Sequence, residues 1–173
     1  APTDETDGLP MPKRIWAVIS VGFALCMSVL DVNIINIVLP TLSHDFGTSP
    51  AVTTWIINGY QLAIVVSLLS FSALGEIIGY RKVYLSGIGL FCITSLICAL
   101  SDSFWTLTIA RIFQGFSASA ITSVNTAQLR YIYPKSQLGR GMGINAMVVA
   151  ISAAAGPSVA SGILSIASWH WLF

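Results

Sequence analysis

Only 9% of the 173 residues are charged, against 55% hydrophobic, and the mean hydropathy is +0.81. Soluble domains carry about 25% charged residues, so water is excluded as the main solvent of this chain and lipid takes its place. The net charge of +1 leaves no footprint for nucleic acid; the only electrostatic partner it implies is the anionic membrane leaflet.

In chain order, residues 1–14 are polar and acidic at first and read as a disordered cytoplasmic tail. Membrane-spanning helices are predicted near 15–38, 51–75, 83–101, 105–131 and 141–165, each with roughly the 20 residues that a crossing needs. The first is expected to stop before Pro40, and a further segment begins near 168. No connecting stretch is long enough to form a soluble domain.

Seven of the eight positive residues fall on one side of these spans: Lys13, Arg14, Arg81, Lys82, Arg130, Lys135 and Arg140. The opposite loops carry His44, Asp45 and Asp102. Since Lys and Arg in short loops are retained on the cytoplasmic side, the N-terminus is expected there. Cys26, Cys92 and Cys98 lie inside apolar spans with no metal-ligand spacing and read as packing residues. His44 and His170 have no Cys or Ser partner at a catalytic spacing. Neither an enzyme, a metal nor an organic cofactor is expected.

The eighth positive residue, Arg111, sits inside the fourth span, and Asp31 sits inside the first. A charge in hydrocarbon costs about 2.5–3.5 kcal/mol even on lenient insertion scales. At 1.5 Å per residue, Asp31 lies about 13 Å before Pro40 on a helix running outward, and Arg111 about 10 Å past Phe104 on one running inward. The two share a depth, so Arg111 can neutralise Asp31 if those helices are neighbours. Burial favours the neutral carboxyl and an adjacent guanidinium the ionised one, which makes the pair a candidate proton switch. A structural pair that only fixes helix register is the competing reading.

Polar residues continue from this point. Asn33 and Asn36 follow Asp31, and the fourth span carries Arg111, Gln114, Ala118, Thr122, Asn125 and Gln128 at steps of three and four, all polar but the small Ala118. Such a stripe must face other helices or a wet cavity. Asn58 and Gln61 in the second span, and Asn145 and Ser152 in the fifth, are candidates to line the same cavity.

The stretch from Leu30 through Asp31, Asn33 and Asn36 to Pro40 resembles the first-helix motif of the drug:proton antiporters of the major facilitator superfamily, in particular their fourteen-helix branch. Trp55 and Tyr60 resemble the second-helix pattern. Arg111, Gln114 and Gly115, followed by Ser117 and Ala118, resemble the fourth-helix motif, with Ser117 where Gly is usual. Gly156 and Pro157 resemble the antiporter signature of helix five, and Ser168 to Phe173 the entry to helix six, with His170 where the family has Arg. The loop with Gly75, Glu76, Gly79, Arg81 and Lys82 resembles the family's cytoplasmic latch, with Glu76 in place of Asp and Ile77 in place of Arg.

The resemblance implies an all-α membrane protein whose five transmembrane helices form most of a six-helix N-terminal bundle, with a missing C-terminal half as partner. With the charge geometry it makes Asp31 and Arg111 the expected proton-coupling residues, Gln114 and Gly115 of the fourth-helix motif join Asn33 as cavity or substrate residues, and Asn58, Gln61 and Asn145 stay in that set on their polarity alone. Gly75, Glu76, Gly79, Arg81, Lys82 and Arg140 become a cytoplasmic gate, with Glu76 a candidate partner of Arg140. The implied activity is proton-driven efflux of amphipathic small molecules across a bacterial inner membrane. A carrier of another solute, such as a sugar, siderophore or metabolite, is the alternative within the fold; a non-transporting membrane scaffold is the alternative outside it.

Overall fold

The inward-facing residues of this chain include charges and amides, while its outward face is aliphatic. In the computed structural model, which describes residues 8–173, Arg111, Gln114, Ser117 and Ser119 are fully buried, whereas Val65, Val66, Leu69, Leu96 and Ile151 are exposed. In water such a surface would drive aggregation. In hydrocarbon it is the required arrangement, because only the interior can satisfy polar groups.

The helices are α1 (Met11–Asp45), α2 (Pro50–Thr53), α3 (Trp55–Ile78), α4 (Tyr80–Ala99), α5 (Phe104–Ile132) and α6 (Leu138–Leu164), with 3-10 turns at Lys135–Gln137 and Trp169–Leu172. No strand occurs among the described residues. By length and composition, α1, the α2–α3 unit, α4 and the segment ending in α6 can each cross a membrane. At 29 residues α5 is long enough as well, but its polar residues make it less apolar than the other four. It occupies the centre: α3 and α4 pack along it, while α6 packs mainly on α1.

Two apolar clusters result. One joins Val21, Ala24, Tyr84, Phe91, Ile121 and Val124 toward the end rich in Lys and Arg. The other joins Ile35, Val38, Leu42, Ile56, Leu107 and Trp169 toward the opposite end. Asp31 falls between the α1 members of the two clusters, and Arg111 and Gln114 between those of α5. The polar group is therefore a layer enclosed on both sides by packed hydrocarbon.

Several limits differ from the sequence expectation. Residues 1–7 of the expected tail lie outside the described residues, but Met11 to Arg14 are already helical. Pro12, in the first turn, has its φ preset for a helix and lacks only an N–H that would have gone unpaired. The Arg14 guanidinium then ties the start of α1 to Leu9 O at 3.0 Å and to Gln137 Oε1 at 3.1 Å. At its other end α1 runs through Pro40 to Asp45 instead of stopping. The proline removes one helical hydrogen bond, but Val38 and Leu42, both fully buried, keep the last turns seated in the core. The Trp169 indole N–H also holds Asp45 Oδ2 at 3.0 Å.

Helices α3 and α4 are joined by Gly79 alone, at φ +100° and ψ 131°. L side chains rarely adopt this backbone conformation. Gly79→Val is expected to cost about 1–3 kcal/mol, read as a lower unfolding midpoint of the purified protein in detergent.

Candidate functional site

Three of the predicted residues meet in the enclosed polar layer. Arg111 Nη1 donates to Asp31 Oδ1 and Oδ2 at 2.7 and 2.6 Å, and to Gln114 Oε1 at 2.8 Å. Gln114 Nε2 donates to Ser95 Oγ at 2.8 Å and approaches Asp31 Oδ1 at 3.4 Å. Arg111 and Gln114 are 0% exposed and Asp31 8%, so solvent does not screen the pair.

Helical geometry places each partner. Arg111 and Gln114 lie three residues apart and project from one face of α5. Asp31 comes from the inward face of α1, in register with Ser28, Ile34 and Ile35. Ser95 and Cys98 form the facing edge of α4, where the Cys98 thiol donates to Gln114 Oε1 at 3.6 Å.

On α3, the Tyr60 ring lies beneath the guanidinium, with Arg111 Cζ 4.1 Å from its centroid. Gly115 permits this approach. A Cβ there would collide with the Tyr60 carbonyl oxygen and come within 2.9 Å of Ala63 Cβ. Arg111 Nε and Nη2, both buried, have no hydrogen-bond partner.

A buried ion pair built this way returns little net stability, because both charges have left water. Its chemical capacity lies elsewhere. A carboxyl beside one cation, with a neutral amide touching both, is an arrangement in which the position of the cation decides which form of the carboxyl is favoured.

Other predicted residues stand apart from this layer. Asn58 and Gln61 are exposed and border a shallow groove of about 320 Å³ with Trp55, Leu62 and Val65. The inward face of α3 is instead Ile56, Ile57, Tyr60, Ala63 and Ser67, so the expected common cavity does not include Asn58 or Gln61. Asn33 and Asn36 turn back to their own helix, donating to Val29 O at 2.7 Å and Val32 O at 3.0 Å.

Asn145 accepts from Asn125 Nδ2 at 3.3 Å, and Gly156 is buried against Asn33. Pro157, inside α6, is exposed. Between α1 and α6 lies a mostly apolar cavity of about 420 Å³ whose few polar linings include Cys26, Asn145 and Ser152.

At the basic end, Gly75 is buried against Tyr80 and Val124, while Glu76, Arg81, Lys82 and Arg140 are exposed. Glu76 and Arg140 form no ion pair among the described residues. The expected contact would need α3 beside α6, whereas α3 packs on α5 and α4.

Tyr60, Ser95 and Cys98 were not among the predicted site residues. Ser95 and Cys98 carried little signal, being two of several small polar or thiol side chains in α4, which also holds Ser86, Cys92 and Thr94. Tyr60 carried none beyond its place in the second-helix pattern.

A family model described as Major Facilitator Superfamily matches residues 21–173. The transporter YebQ of Escherichia coli (strain K12), itself uncharacterised, is 54% identical over 99% of this chain and 38% of its own length. The riboflavin transporter RibZ of Clostridioides difficile (strain 630) is 32% identical over 93% of the chain and 36% of its own length. A provisionally named multidrug resistance protein of Salmonella typhi, MdtD, is 32% identical over 91% of the chain and 34% of its own length. The chain thus spans little more than a third of each of these relatives.

Proposed function

The chain belongs to the Major Facilitator Superfamily, and from that premise we propose that it carries the coupling site of a proton-driven antiporter that exports amphipathic small molecules. The observation that carries the reading is the buried Asp31–Arg111 pair bridged by Gln114. A membrane protein has no economical reason to bury two charges that a hydrophobic pair would replace at no loss of stability. Reversible protonation of Asp31 supplies such a reason. Similarity to MdtD, a protein named for multidrug resistance, supports the substrate class.

In this reading the Lys and Arg end faces the cytoplasm and the membrane is the bacterial inner membrane, in keeping with the positive-inside rule. Gly75, Glu76, Gly79, Arg81, Lys82 and Arg140 lie at that end and act as the gate. Gly156 and Pro157 set the course of α6 where it meets α1. Asn33, Gln114 and Asn145 border the transport path, Gly115 seats α5 on α3, and Asn58 and Gln61 face whatever packs on the outer side of α3. Substrate is held between this helix bundle and a second one, as in other transporters built from repeats.

Similarity to RibZ favours a second reading, a metabolite carrier on the same frame. Proteoliposomes containing the full-length protein separate the two. With ethidium as probe, a gradient of one pH unit is expected to drive dye accumulation roughly tenfold per proton exchanged. Accumulation of riboflavin but not ethidium would favour the second reading, and indifference of both to the gradient would sink proton coupling.

A further inference from the structure

Arg111 is the group left in difficulty when Asp31 gains a proton. It is fully buried, and all of its hydrogen bonds leave from Nη1, to Asp31 and Gln114. Protonation removes the counter-charge. The neutral Gln114 oxygen alone is a poor substitute for the hydration that a guanidinium has given up.

The remaining contact is the face of Tyr60. The ring is 1% exposed, and its centroid lies 4.1 Å from Arg111 Cζ. Cations are attracted to an aromatic face within about 6 Å, most strongly where water is excluded. The Phe173 ring is more distant, at 5.7 Å. The backbone is shaped for the closer contact, since Gly115, one turn after Arg111, sits directly on the Tyr60 carbonyl.

Resting on the proton-coupling reading above, we propose that Tyr60 is a positioning residue of the charge pair: its ring holds the Arg111 guanidinium while Asp31 is protonated, and so eases proton uptake by the carboxyl. The titratable groups facing Arg111 are Asp31 from α1, Cys98 from α4 and Tyr60 itself from α3. Helix α6 carries its one titratable side chain, Arg140, in its first turn, remote from the pair, and the 3-10 turn packed on α1 and α4 carries His170, which stacks on Trp169. Asp31 is therefore the group whose proton the ring influences.

The sign follows from which state the ring supports more. With Asp31 ionised, Arg111 has a counter-charge and depends little on the ring. With Asp31 neutral, it depends on the ring heavily. Weakening the face penalises the protonated state, so proton uptake moves to lower pH.

The test uses the full-length protein in proteoliposomes, with ethidium exchange measured as a function of pH. Tyr60→Phe provides the reference ring. Trifluorophenylalanine at position 60 keeps nearly the shape of that ring but drains charge from its face, and is expected to shift the midpoint about half to one pH unit toward acid. Tyr60→Leu should shift it in the same direction.

If Tyr60→Leu fails to fold, the near-isosteric pair still decides. A fluorinated variant with the midpoint of Tyr60→Phe overturns the role of Tyr60. Asp31→Asn separates the two layers of inference. Loss of coupling in that variant together with an unmoved fluorinated midpoint sinks only the role of Tyr60, whereas retained coupling in Asp31→Asn overturns both.

Discussion

Asp31→Asn in the full-length protein is expected to abolish accumulation of ethidium against its gradient while leaving downhill exchange measurable. In the proposed reading the carboxyl is the group of the polar layer that alternates between neutral and charged forms beside the Arg111 cation. An amide cannot release a proton. One proton moving down one pH unit releases about 1.4 kcal/mol, enough for a roughly tenfold concentration of one solute. Without proton exchange that work is lost, and the inside-to-outside ratio of dye falls to unity.

The same substitution leaves Arg111 buried without its counter-charge, and breaking a buried pair from one side costs about 3–5 kcal/mol. The unfolding midpoint in detergent is therefore measured alongside transport. A folded Asp31→Asn protein that still concentrates dye when a pH gradient is imposed would show that the pair only fixes helix register.

The meeting of Asp31 with Arg111 was legible in the sequence because helical rise is constant. Two offsets from the ends of oppositely directed spans give two depths, and equal depths on neighbouring helices allow contact. What the sequence leaves open is which helices are neighbours. The expectation that Glu76 meets Arg140 needed α3 beside α6 and failed on that point.

Facing is a second unknown. Asn58 and Gln61 are polar, and in a soluble protein their exposure would be unremarked, but in an apolar helix polarity suggests the interior. The interior of α3 instead belongs to Tyr60 and its neighbours, chosen by the fit against Gly115. Cys98 illustrates a third ambiguity, since a thiol is both a small hydrophobe and a weak donor, and only the position of Gln114 decides between the two. Pro40 shows the weight of tertiary packing over local rules, because one missing helical hydrogen bond is outweighed by two buried aliphatic residues and an indole N–H bonded to the Asp45 carboxylate.

Gly115 is the position at which a single added carbon is expected to damage both fold and function. Helices α3 and α5 form one of the two most extensive contacts in the bundle, and within it Gly115 sits against the Tyr60 carbonyl. A Cβ at Gly115 falls on a carbonyl oxygen of a hydrogen-bonded helix, not on the end of a flexible side chain, so relief requires the helices to move apart. Gly115→Ala is expected to cost about 1–3 kcal/mol, the usual range for an overpacked core. Gly115→Leu should prevent recovery of folded protein altogether.

The functional consequence follows from the same displacement. Moving α5 away from α3 lifts Arg111 from the Tyr60 ring while leaving its bond to Asp31, which comes from α1. Gly115→Ala should therefore move the pH midpoint of ethidium exchange toward acid, in the direction expected of a weakened ring at position 60. Size-exclusion profile and unfolding midpoint report the packing cost, and the pH profile reports the change at the charge pair. A Gly115→Ala protein with unaltered stability and pH profile would mean that α3 and α5 do not approach as closely in the membrane as their backbones do here.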